Sequence, residues 1–261
     1  MNTKSRIENI QANGYDIDFS ETFSDAFETY KKIALHAGLV LIIVVIVMMA
    51  VIFGIIGAAV GFAAFTDNLT GFQPQNFSTL HQVLYILVLS VFGGIANPFN
   101  AGIIKMAFQA DAGHPFSVAT AFEYYSSSKF GNLFIAGFMI TLFGAGLGMI
   151  LDSLIFPFIS TILSVTVSFL TFLTVPLIIF GNLNAVDAIK SSCIVVLKNP
   201  LIILGLLIVG ILLSLVGFIA FCIGYFFTMP FLYALYYSIY KNSVGISTMS
   251  EIDEISGIDN I

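Results

Sequence analysis

Tryptophan is absent from this 261-residue chain, cysteine occurs twice, histidine three times, and only 9% of the residues are charged. Each shortage excludes something. Cys193 falls in a connector and Cys222 in an apolar run, so neither a disulfide nor a thiolate metal site is expected. His36, His81 and His114 are distributed along the chain without His or Cys company at ligand spacing. HExxH, Gly-x-Ser-x-Gly, phosphate-loop and paired-carboxylate motifs are all missing, which leaves hydrolase, ATPase and metalloenzyme chemistry without a foothold; no cofactor is expected. A net charge of −6 argues against nucleic acid as a partner.

What the chain has in abundance is apolar surface. A hydrophobic share of 58% lies above the globular norm of roughly 45–50%, and the charged share lies far below about 25%. A helix needs about 20 apolar residues to cross the hydrocarbon core, and six runs qualify: Leu35–Phe62, Leu80–Phe108, Leu133–Leu151, Leu154–Phe180, Pro200–Ile219 and Phe221–Tyr240. The runs are continuously apolar rather than alternating, so a β-barrel is disfavoured. An all-α polytopic membrane protein follows.

Lys and Arg are absent from the connectors around Asp67, around Asp152 and near Ile219. All nine basic residues lie in the N-terminal region, in two alternate connectors and in the C-terminal tail. Loops that stay in the cytoplasm retain Lys and Arg, so both termini are expected inside. More than thirty residues that include Asp16, Asp25 and Glu28 precede the first run, so a cleavable signal peptide is not evident and the first span is read as an uncleaved anchor. Residues 1–18 are expected to be flexible, 19–241 to form the membrane domain, and 242–261 to form a flexible acidic tail.

An internal repeat is suggested by the connectors. Phe116 through Asn132 aligns without gaps on Leu183 through Asn199 at an offset of 67 residues, and Ala26-Phe27 matches Ala121-Phe122 at an offset of 95. In the first copy Phe19, Phe23, Phe27, Tyr30 and Ala34 recur at helical spacing opposite Glu21, Asp25, Glu28, Lys31 and Lys32, the pattern of a helix lying on a membrane surface. Each even-numbered span carries one late proline: Pro98, Pro176 or Pro230, expected as kinks. The unit is then a surface helix plus a hairpin, three times in parallel over about 19–108, 115–181 and 183–241.

Candidate working residues are few. Ser160, Ser164, Ser168 and Thr171 are spaced at four, four and three in the fourth span, giving a polar face that either packs closely against a neighbour or lines a groove. Asp152 lies where an outer hairpin turns and is read as a solvated carboxylate, while Lys105 is close enough to a span end to snorkel. Asn97 and Asn100 bracket Pro98 and could satisfy the carbonyl it frees, and Gly57/Gly61 and Gly144/Gly148 are small-xxx-small packing surfaces. Lys31, Lys32, Lys129, Lys190 and Lys198 belong to the surface helices or their exits and are candidates for anionic lipid headgroups.

The run from Leu212 to Pro230, with Ala185-Val186-Asp187-Ala188-Ile189-Lys190-Ser191-Ser192 before it, resembles bacterial six-span membrane proteins of unknown function, of the Bacteroidetes type. These are similar to the membrane domain of glycerophosphoryl diester phosphodiesterases, and the resemblance is best over residues 115–240. In those enzymes catalysis belongs to a separate soluble barrel, for which no segment here is long enough. The resemblance therefore implies an inner-membrane module without that activity, meeting membrane lipids, a protein partner or a second copy through its surface helices. The expected function is a non-enzymatic scaffold, partner subunit or lipid-interacting module; the alternative is a carrier or channel for a neutral or amphipathic small molecule.

Overall fold

The computed structural model describes residues 2–60, 78–154, 157–219 and 223–246. Among them every regular element is helical. The α-helices are α1 (Thr3–Asn13), α2 (Phe19–Val60), α3 (Thr79–Asp111), α4 (Phe130–Leu154), α5 (Pro157–Thr171), α6 (Thr174–Ile179), α7 (Ala185–Lys198), α8 (Pro200–Val216), α9 (Ile223–Thr228) and α10 (Pro230–Ser243). A 3-10 segment, Val118–Tyr125, joins α3 to α4. Five helical stretches are long and apolar enough to cross a membrane: Phe19–Val51, Thr79–Asp111, Phe130–Met149, Ile159–Ile179 and Pro200–Ile219. The sixth expected span is divided at Met229 into α9 and α10, because Pro230 has no N–H to continue the ladder. Asp67, Gly61, Cys222 and the tail from Ser247 lie outside the described residues, as do the surroundings of Gly57 and the side chain of Asp152.

Burial is concentrated at one end. Residues 98–110, 173–181 and 230–240 are almost continuously buried, whereas the opposite halves of the spans expose large apolar side chains such as Ile46, Val88, Phe143, Ile162 and Leu212. The buried stretches begin at or near the three prolines and end beside the Lys-bearing connectors, so the solid half of the bundle is its basic end. Phe108, Phe180 and Tyr237, one from each buried stretch, pack ring on ring at centroid distances of 5.2, 6.2 and 5.9 Å. Glycines let the helices approach: a methyl added to Gly137 would lie 2.4 Å from the carbonyl oxygen of Gly93 in α3, and one on Gly102 would lie 2.2 Å from that of Ala121.

The three connectors differ in local form, and this corrects the expectation of three separate surface helices. The first is continuous with its span: α2 runs unbroken for 42 residues, roughly 63 Å, because no proline interrupts it and Gly38 is pressed against Phe227. Its inward face is the row Thr22, Ala26, Thr29, Ile33, Ala37 and Val40, small or compact residues at helical spacing. Phe19 and Phe27 are exposed, while Phe23, Phe27 and Tyr30 wrap the flank of Phe231 at 5.6 to 6.4 Å. The second connector is the short 3-10 segment, beginning after Pro115 bars the helical conformation at His114. Only the third, α7, is a separate α-helix; Asn184 caps it by accepting the Asp187 N–H at 2.9 Å, and Asn199-Pro200 ends it.

The N-terminal residues are also corrected from flexible to packed. Ile7, Ile10 and Ile17 are buried, Thr3 rests against Gly181, and Gly14 at φ 76° closes α1 by donating to Ile10 O. Tyr15 donates to Val195 O at 3.1 Å, Asn199 donates to Tyr15 O, Lys4 pairs with Asp187 at 2.8 Å, and Arg6 reaches Val244 O at 3.2 Å. Burial raises the Tyr15 hydroxyl above its usual pKa. The first five residues of the presumed tail are likewise part of the bundle, with Val244 buried.

Candidate functional site: a polar cavity beside the prolines

Pro98, Pro176 and Pro230 are all buried, and residues adjoining each of them line one cavity of about 300 Å³. Asn97, Asn100 and Ile104 come from α3, Ile140 from α4, Ser168 and Thr171 from the end of α5, Phe172 from the break after it, Thr174 and Val175 from α6, and Met229, Leu232, Tyr233 and Tyr236 from the α9–α10 junction and α10. The clustering has a backbone cause. Each proline denies a hydrogen bond to the carbonyl four residues earlier; α3 continues through Pro98, whereas the chain divides at Met229 before Pro230. At Pro176 the opening is a full break over Phe172 and Leu173, stapled from α7: Ser192 accepts the Leu173 N–H at 3.2 Å and donates to Leu170 O at 2.7 Å.

The lining sets amides and hydroxyls within a larger apolar surface and holds no carboxylate, ammonium, guanidinium or imidazole. Asn97 donates to Leu133 O of α4 at 3.1 Å, and Asn100 accepts from the Tyr233 hydroxyl at 3.0 Å. The two amides therefore tie α3 to the neighbouring helices, and these bonds replace the expected return to the carbonyl freed by Pro98. Thr174 is fully buried, and its hydroxyl oxygen has no hydrogen-bond partner.

The hydroxyl row divides between its two readings. Ser160 and Ser164 lie 3.9 Å from where a methyl on Gly148 would sit, which is helix packing. Ser168 and Thr171 face the cavity, with Thr171 also returning its hydroxyl to Val167 O at 2.7 Å. Gly144 meets Val167 only at an ordinary contact distance of 3.9 Å, whereas Gly93, Gly102 and Gly137, which the small-xxx-small spacing does not select, are among the tight glycines of the bundle.

The basic residues divide too. Lys31 is exposed, 2.7 Å from Glu28 and over the Phe27 ring, and Lys190 and Lys198 are exposed on α7. Lys32 donates to Ala110 O at 3.0 Å and Lys129 to Ile179 O, so both cap the ends of buried helices. Lys105 is buried rather than snorkelling: its ammonium meets Glu123 of the 3-10 segment at 2.8 Å and lies 5.7 Å from the Tyr124 ring centre. The sequence reading missed this because Glu123 is 18 residues away.

Asp111 at the end of α3 accepts from Tyr237 and from Lys241, both at 2.8 Å, and Asp25 lies 3.6 Å from Lys241. Burial lowers the pKa of the Lys241 ammonium, but the hydrogen bond and charge of Asp111, with Asp25 behind, outweigh it and raise the net value. A raised ammonium contributes stability that is complete below its unfolded pKa of about 10.4 and is lost as pH rises through the folded value. Thermal unfolding followed from pH 8 upward should accordingly show an alkaline fall that Asp111→Asn diminishes; an identical fall in both proteins would refute the assignment.

Comparison of the chain with protein-family models, with characterised proteins and with solved structures finds no match.

Proposed function

We propose that this is a non-enzymatic, six-span protein of the bacterial cytoplasmic membrane, with both termini in the cytoplasm, that engages anionic lipid headgroups through its basic end. The carrying observation is that all three connectors leave apolar side chains partly exposed at the basic end, and that the first and third set exposed lysines beside them. Phe27 and Leu35 flank Lys31, Val118, Phe122 and Tyr125 line the 3-10 segment, and Val186 and Leu197 accompany Lys190 and Lys198. Apolar groups that enter the interface beside cations that meet phosphate are what a headgroup layer accommodates. The Lys and Arg distribution supports the orientation, and α9 with α10 supplies the sixth span across the kink at Pro230. Three parallel hairpin units, each contributing residues beside a buried proline to the same cavity, fit the repeat suggested by the connectors, and the resemblance of residues 115–240 fits a module without a catalytic barrel.

The test is lipid mass spectrometry on protein purified in mild detergent. Lys31→Gln, Lys190→Gln and Lys198→Gln combined should reduce the enrichment of anionic lipids severalfold, at about 1 kcal/mol for each cation. Lys32→Gln with Lys129→Gln should instead lower thermal stability and leave the lipid profile alone. An unaltered profile in the triple variant would remove the proposal.

A further inference from the structure

The cavity beside the prolines has no part in headgroup binding, and its chemistry is specific. We infer that it binds a neutral amphipath whose head carries a hydroxyl or carboxamide and whose apolar chain leaves toward the bilayer.

Four observations carry the inference. First, about 300 Å³ is at the lower end of small-molecule sites. Second, Thr174 presents a fully buried hydroxyl oxygen that no protein group satisfies, at the wall of that cavity. Native interiors rarely leave such a group without a partner, and a ligand head or water answers it. Third, the remaining polar groups complement a head that both donates and accepts: with Asn97 donating to Leu133 O and Asn100 accepting from Tyr233, one amide oxygen and one amide NH2 are left over, beside the Ser168 hydroxyl. No lining side chain carries charge, so a charged head would be buried without a counter-ion. Fourth, α5 packs on α4 and α7, and the break just after it meets the last hairpin through the Phe172–Tyr236 ring pair at 5.2 Å. Past that contact Ser168 is exposed, so the cavity opens sideways between α5 and that hairpin, where a membrane would place lipid chains. A lateral opening selects a molecule that partitions into the bilayer over a water-soluble solute.

The experiment uses the full chain in nanodiscs and a photoreactive diazirine-bearing long-chain primary alcohol, beside the carboxylate and the amine of the same chain length. The alcohol should label peptides around residues 168–175 and 229–236, and the two charged probes should label there at least tenfold less. Thr174→Val keeps the side-chain shape and removes only the unsatisfied hydroxyl, so the empty protein should melt at the same temperature or higher while labelling falls about tenfold, equivalent to ~1.4 kcal/mol. Ser168→Phe, at an exposed position, should close the opening and abolish labelling with folding retained. Labelling that is equal for the three heads, that persists in Thr174→Val and Ser168→Phe, or that is confined to the outer helix surfaces would overturn the inference, and would leave the cavity to water. These readouts are independent of the anionic-lipid profile.

Discussion

Gly102→Ala should destabilise the protein by about 3 kcal/mol, whereas Gly144→Ala should change stability by less than about 0.5 kcal/mol. Both add one methyl to a helix in the same bundle. On Gly102 that methyl falls 2.2, 2.5 and 2.6 Å from the O, C and Cα of Ala121, which are backbone atoms that cannot rotate away. Either the 3-10 segment lifts off α3 or α3 shifts, and in both cases the Lys105–Glu123 contact is disturbed. On Gly144 the nearest atom is a valine methyl at 3.9 Å, an ordinary contact. Thermal unfolding in detergent decides the matter, and equal effects of the two substitutions would show that the close crossing at Gly102 does not exist.

Glu123→Ala should cost about 2–3 kcal/mol, and adding Lys105→Met should recover most of the loss. The Lys105 side chain is 5% exposed and that of Glu123 45%, so the substitution leaves the more deeply buried member of the pair without its carboxylate. The contact with the Tyr124 ring remains and offsets part of the cost. Methionine supplies a similar apolar volume without the ammonium, so Lys105→Met alone should be close to neutral. The coupling from the four-protein cycle should be about 2 kcal/mol, and additive effects would mean that the two groups do not interact.

The fold class was legible because it depends on composition and run length, which need no neighbours. The spans from Leu80, Leu133 and Pro200 fall where the apolar runs lie, and Pro176 and Pro230 mark where helices divide, while α3 continues through Pro98. The N-terminal helix was legible in part: Ile7 and Ile10 at helical spacing ahead of Gly14 are a start and a stop, but the surface that buries them, α7 and the turn at Gly181, is more than 170 residues away. The aromatic row of α2 was visible as a row, but the compact row that packs inward was not. Which face of a helix is buried depends on what lies opposite, and against α10 the compact row at Thr22, Ala26, Thr29 and Ile33 allows the closer approach.

The candidate site was half legible. Ser168 and Thr171 stand out in the sequence, yet nothing along the chain separates them from Ser160 and Ser164, since all four share one helical face. Only the crossing of α4 over α5 assigns the first two hydroxyls to packing and the last two to the cavity. Asn97, Asn100, Thr174, Tyr233 and Tyr236 join them from helices up to 139 residues apart.

Taken by itself, the sequence determined that this chain lives in a membrane as a bundle of helices, that its basic residues gather in alternate connectors, and that no recognised catalytic motif is present. Those properties are sums and periodicities, and they survive any arrangement of the helices. The tertiary structure decided which lysines reach helix ends, which glycines sit at close crossings, and that residues beside three prolines converge on one uncharged cavity. These are distances between residues remote in the chain, set by how close two backbones can come, and no local pattern encodes them.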